Sequence, residues 1–151
     1  MHGEVTVHMA APAAKIWELI ADVRNTGRFS PETFEAEWLD GATGAAVGAR
    51  FRGHVRRNEI GPVYWTTCRV TDCEPGREFG FDVMIGDRVG NHWHYRLTPC
   101  DGGTDVTESF RLNDSPGLKI YWTLLGWLRG PRNLRDMRRT LERIKDVAEN
   151  S

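Results

Sequence analysis

With 151 residues, 40% of them hydrophobic and 10% aromatic, the chain has material for one packed core, and two independent cores would each be small and marginal. Twenty basic against twenty-one acidic side chains leave a formal net charge of −1, which excludes a global field drawing in nucleic acid or an anionic membrane. Cys68, Cys73 and Cys100 match no CxxC metal or redox spacing, so a reduced, cytoplasmic setting is expected.

The N-terminal MHGEVTVHMAAPAAKIW lacks a basic region followed by an apolar run, and no signal peptide is expected. Within it, Val5, Val7 and Met9 alternate with Glu4, Thr6 and His8, the period of a strand with one buried face. After Ala11-Pro12 the period changes: Ile16, Leu19, Ile20 and Val23 fall at helical spacing, with Pro12 suited to the first turn. Asn25, Gly27 and Pro31 break this helix and leave a short irregular or helical connection to about Glu35.

From there to residue 112 the sequence reads as strands. EAEWLD ends at Gly41, and GATGAAVGAR is a glycine-rich loop without the Lys-Ser/Thr of a phosphate loop or a GxGxxG. ARFRGHVRR sets Phe51, Gly53 and Val55 against Arg52, His54 and Arg56. VYWTTCRVTDC stops at the turn Glu74-Pro75-Gly76, and EFGFDVMI follows with Phe79, Phe81 and Val83 on one side. NHWHYRLTP and TDVTESFRL are joined by the hairpin signal Asp101-Gly102-Gly103. In the first of these, Trp93, Tyr95 and Leu97 share the face that must be buried, so His92, His94 and Arg96 stand on the other. The HxH spacing, even with His54 and Asp82 on polar faces nearby, completes no recognised ligand set, and no metal is expected.

The last 35 residues return to helical period. Leu134, Met137, Leu141, Ile144 and Ala148 form an amphipathic stripe opposite Arg135, Arg138, Arg139, Arg143 and Lys145. Residues 118 to 128 before it are densely apolar, about half the length of a membrane span, and are separated from the helix by the breaking pair Gly130-Pro131. No repeat, linker or low-complexity tract divides the chain, which reads as a single domain over residues 1–151.

The ordered set APAAKIWELIADV, GARFRG, CEPGREFGFDV, HWHYRLTPCDGGTDVTESFRL and a terminal amphipathic helix resembles the START/Bet v 1-like superfamily, in particular the bacterial polyketide cyclase/dehydrase and lipid-transport branch called SRPBCC. The resemblance runs over nearly the whole chain. It implies an α+β helix-grip fold, a curved antiparallel sheet of about seven strands wrapped around the long C-terminal helix, with an apolar internal cavity. On strand parity Phe51, Val55, Phe79, Phe81, Trp93, Tyr95, Val106, Glu108 and Phe110 then face inward. Trp17, Leu134, Met137 and Leu141 are expected to join them from the helices, with Trp122 in the 118 to 128 stretch covering the mouth.

Two functions are compatible with that frame. One is binding or transport of a small hydrophobic or amphipathic molecule, lipid or polyketide-like, in the cavity. The other is a polyketide cyclase, aromatase or dehydratase, whose acid/base candidates are Glu108, Tyr95, Tyr64 and His54. Glu108 shares an apolar face with Val106, Phe110 and Leu112, so it needs either a partner, with Arg69 or Arg111 as candidates, or a ligand. No cofactor and no nucleic-acid partner is expected; Tyr121, Trp122 and Trp127 suit transient membrane contact, and the chain is expected to be a monomer or homodimer.

Overall fold

In a computed structural model of the chain, residues 2–56, 63–113 and 130–150 are described, with the side chains of 130–133 excepted. The elements follow the order β1 (His2–Met9), α1 (Ala13–Ala21), a 3-10 turn (Val23–Asn25), α2 (Thr26–Phe29), β2 (Thr33–Trp38), β3 (Arg50–Arg56), β4 (Val63–Glu74), β5 (Glu78–Ile85), β6 (Arg88–Cys100), β7 (Gly103–Leu112) and α3 (Gly130–Glu149).

In β1 the alternation works as expected, with Val5 and Met9 buried and Glu4, Thr6 and His8 exposed. Pro12 precedes α1 in extended conformation and delivers the chain into a helix whose Ile16 and Ile20, one turn apart, are buried. The helix ends at Asp22, whose carboxylate accepts from the Arg24 backbone N–H at 3.1 Å and opens the 3-10 turn.

Strands β2 to β7 form an antiparallel meander, and β7 returns beside β1, so the seven-stranded sheet has the order β1-β7-β6-β5-β4-β3-β2. The excursion through α1 and α2 therefore carries the chain from one edge of the sheet to the other. Tight turns fix the meander: the left-handed Gly76 closes β4 to β5, and Gly102 closes β6 to β7. An irregularity between Val70 and Asp72 shifts the pairing with β5, so Cys73 faces Phe79 while Asp72 faces Gly80 on the opposite side.

The apolar stripe of α3 settles on the sheet through Met137, Leu141, Ile144 and Ala148, all buried, while Arg135, Arg138 and Arg139 stay exposed. Full burial of side chains of this size stabilises by about 1.5–3 kcal/mol each. The helix packs on β1, β7, α1 and α2. Two polar contacts fix its position: Glu149 accepts from the Ala10 backbone N–H at 2.7 Å, and Arg143 donates to the Phe29 carbonyl at 3.3 Å. This is the helix-grip arrangement, an α+β fold.

The seat of α2 on β2 requires Gly27. A Cβ built there would lie 2.0 Å from the Phe34 carbonyl oxygen, a backbone atom that no side-chain rotation moves aside. Gly27→Ala is therefore expected to destabilise the fold by about 2 kcal/mol or more, by displacing α2 from the sheet. A urea unfolding midpoint equal to that of the wild type would refute this close approach.

Candidate functional site

Because α3 lies toward the β1-β7 side, the concave face of β3 to β6 is not fully covered, and a cavity of about 450 Å3 remains. Its floor is aromatic. Phe51 from β3, Phe79 and Phe81 from β5, and Trp93 and Tyr95 from β6 line it, with Val55, Tyr64, Cys68 and Val83 between them. Phe51 and Phe81 meet edge to face at 5.0 Å between centroids, and Phe79 and Phe81 lie 5.9 Å apart. Ile20, Val23 and Phe29 close one side from the α1–α2 excursion, and Met137, Thr140 and Ile144 form the helical wall. Phe81, Val83, Trp93 and Tyr95 point inward yet are only partly buried, as expected of side chains facing open space rather than a filled core.

The polar centre is Glu108. In β7 it is paired with Tyr95 of β6, both side chains on the concave face, and it retains 2% of its surface exposure. Burial pushes its carboxyl up to about 8, opposed by a hydrogen bond with the Tyr95 hydroxyl. Burial, then the neighbouring Glu108, pushes the Tyr95 phenol well above its ordinary value. Among the described residues Glu108 Oε1 has no hydrogen-bond partner, and neither has Oδ1 of Asn91, which is equally buried on the cavity wall. Such atoms are uncommon because an unsatisfied buried polar group costs about 1–3 kcal/mol.

The arginine partners expected for Glu108 are not there. Arg69 is paired with Arg50 and Asp82, and Arg111 with His2 and His92, on the convex side of the sheet. No bulge in β7 alters that parity, so the contact falls to the directly opposed Tyr95.

Several expected cavity residues lie elsewhere. His54 is on the convex face: its neighbours Gly53 and Val55 point inward, its Nδ1 lies 2.7 Å from Glu35 Oε1, and its ring stacks on Trp65 at 4.1 Å. It does not reach the cavity, which removes it from the acid/base candidates. Phe110 and Leu141 are inside but belong to the packed core, Phe110 against Trp93 at 5.5 Å and Leu141 with no exposed surface. Trp17 packs at the core margin and donates its indole N–H to the Glu78 carbonyl at 2.8 Å. Leu134 is 38% exposed at the start of α3, beyond the cavity wall. Trp122 and the 118 to 128 segment lie outside the described residues, as do Tyr121 and Trp127.

Asn91, Cys68 and Val83 are not among the expected cavity residues, although parity with Trp93, Tyr64 and Phe81 places each on the concave face. Phe29 and Thr140 carry no such signal; only the packing of α2 and α3 brings them in.

Convex-face histidines pair with carboxylates. His92 Nδ1 is 2.9 Å from Asp82 and its Nε2 3.6 Å from Asp72, and His94 Nε2 is 3.0 Å from Glu78. Among the described residues one set of metal-capable donors converges, His8, Cys100 and Asp105, with ligand atoms within 4.8 Å of one another. A direct His8 to Asp105 contact at 2.9 Å accounts for that geometry.

The sequence matches the family profile for polyketide cyclase/dehydrase and lipid transport over residues 1–149. The chain belongs to that family. None of the curated proteins compared with it matches. Among solved structures, a Deinococcus radiodurans protein is similar at TM-score 0.68 and 19% identity, over 99% of this chain and 98% of that one. An Arthrobacter aurescens protein reaches 0.69 at 18% identity, over 99% and 87%. A Corynebacterium glutamicum protein described as Polyketide_cyc-like is 28% identical, with TM-score 0.56 over 98% and 85%. No described helix is long and apolar enough to cross a membrane.

The Glu108 carboxyl carries a pH signature. Its proton is held more tightly in the folded chain, so its favourable contribution is complete below the unfolded value of 4.5 and is lost as pH rises through about 8. Stability is expected to fall across that window by an amount on the order of 3–5 kcal/mol, and Glu108→Gln to remove this part of the slope. Urea titrations of both proteins at several pH values measure it; parallel profiles would place Glu108 in a solvated environment.

Proposed function

We propose that the protein binds and carries a small, mainly apolar molecule in the cavity between the sheet and α3, with Glu108 and Tyr95 orienting its polar end. The observation carrying this reading is an aromatic-lined cavity of about 450 Å3 that contains a buried carboxyl with an oxygen unpartnered among the described residues. That volume lies within the range of small-molecule sites, about 300–1,000 Å3. A cavity kept only by imperfect packing would not need an acid on its wall, since an apolar residue there would avoid the desolvation cost. Family membership supports the same reading: lipid-like and polyketide-like molecules share a large apolar surface with few oxygen functions.

A second reading is catalysis in the same cavity, as a cyclase, aromatase or dehydratase. It is favoured by one observation: a carboxyl that titrates near 8 exists in both protonation states at neutral pH, as proton transfer next to an enolisable carbonyl requires. Binding is preferred because the other titrating groups near it are out of range. Tyr95 is held well above its ordinary value and Cys68 is pushed up to about 12, so Glu108 has no proton-transfer partner working near neutrality among them.

Native mass spectrometry of the purified protein, set beside denaturation and organic extraction of the same sample, tests for a bound molecule. Displacement of the neutral dye Nile red tests for an open site. Val83→Trp, at a partly buried position on the wall, is expected to fill the cavity and weaken Nile red binding about tenfold or more while the protein stays folded. A wild-type protein with neither a released molecule nor dye binding would defeat the proposal. Retained binding in the Val83 variant would move the site elsewhere.

A further inference from the structure

We infer that the cavity selects uncharged amphiphiles, whose hydroxyl or carbonyl meets Glu108, and rejects molecules that carry a carboxylate. This inference rests on the binding reading above and adds the ligand's charge to it.

The charge census of the wall carries the argument. Among the described residues, no Arg, Lys or His lines the cavity, whereas Glu32, Glu108 and Asp136 do. Glu108 and Asp136 come from β7 and α3, and Glu32, which has a partner of its own, from the α2–β2 connection. In the helical layer the Arg143 guanidinium donates to the Phe29 carbonyl. A carboxylate entering this space would give up its hydration for a largely aromatic wall with no cation among the described residues to compensate it, and it would lie near the Glu108 carboxyl. Desolvating an unpaired charge is strongly unfavourable.

The buried polar groups point the same way. Among the described residues Glu108 Oε1 and Asn91 Oδ1 are unpartnered, and both residues are 2% exposed. A protonated Glu108 can give its O–H to a carbonyl or hydroxyl and accept from a hydroxyl through its other oxygen; Asn91 Oδ1 only accepts. Asn91 and Tyr95 lie four positions apart along β6, about 13 Å, so they form two distinct polar points on the β6 part of the floor. Neither complements an anion as an arginine would. The remaining titratable groups on the wall are Tyr64, Cys68 and Tyr95. Cys68 and Tyr95 are held away from neutrality by burial, which leaves Glu108 to govern the pH response of a ligand seated beside Tyr95.

The test uses three probes with similar apolar bodies, decanol, methyl nonyl ketone and sodium decanoate, competing against Nile red on the full chain. At pH 7, decanol and the ketone are expected to bind about tenfold or more tighter than decanoate. The ketone needs a donor, so its affinity should fall as pH rises past about 8, when Glu108 loses its proton, whereas decanol can still donate to the carboxylate. Glu108→Gln keeps an N–H donor at every pH. It is expected to abolish the ketone's pH dependence and retain ketone binding, a pattern that a purely structural role would not produce. Decanoate binding as tightly as decanol would overturn charge selection and leave the binding reading intact. Failure of Nile red and all three probes to bind would overturn both. A ketone affinity that falls equally with pH in wild type and Glu108→Gln would remove Glu108 from the contact.

Discussion

A single amphipathic helix cannot cover seven curved strands, and the geometry of this protein follows from which part it covers. The stripe Met137, Leu141, Ile144 and Ala148 rests toward β1 and β7, where Val5, Met9 and Val106 meet it as packed core. Farther along the sheet, among the described residues, no helix lies over part of the inward side chains of β3 to β6. The α1–α2 excursion closes one side of that space and leaves the rest as a cavity. Core and cavity are thus two regions of one apolar surface, distinguished by whether α3 reaches them. Phe110 and Trp93 illustrate the boundary: they touch across adjacent strands, yet one is core and the other cavity wall.

Sheet alternation then separates two chemical environments only one strand thickness apart. On the convex face the imidazoles of His8, His54, His92 and His94 each have a carboxylate within hydrogen-bonding distance, and Arg52 lies over the Trp65 ring at 4.1 Å. The His8–Asp105 pair is exposed, and a pair of that kind contributes little to stability, whereas those of His92 and His94 are partly buried. On the concave face, among the described residues, the buried Glu108 has the Tyr95 hydroxyl beside it and no Arg, Lys or His lines the cavity. Glu108 responds by holding its proton rather than by recruiting a cation. That choice makes the inner face suited to oxygen functions without charge, and it ties the site's behaviour to pH near neutrality.

Much of this was legible in strand parity. The alternation in HWHYRLTP, with its two histidines set against Trp93 and Tyr95, assigned the inner face of β6 without reference to any neighbour, and the odd position of Glu108 among Val106, Phe110 and Leu112 marked it as unusual. Its partner was not legible, because parity tells which face a residue shares but not which strand lies opposite; the register of β6 on β7 chose Tyr95 over an arginine. His54 shows the converse limit. Its residue type suggested acid/base chemistry, while its own parity with Arg52 and Arg56 already placed it outside. The shift between Val70 and Asp72 is a third case, since a bulge reverses the faces beyond it and depends on how two strands twist together rather than on either alone.

The sequence by itself determined the element types, the order of strands between two helical regions, the faces of β3, β5, β6 and β7, and the presence of a carboxyl on an apolar face. These properties are local, set by a period of two or of about 3.6 residues, turn residues and side-chain hydrophobicity. Only the tertiary structure decided that Phe110, Leu141 and Trp17 pack while Asn91, Phe29 and Thr140 line open space. That division depends on where α3 crosses the sheet and on the close seat of α2 against β2, distances between segments far apart in the chain that no local pattern encodes.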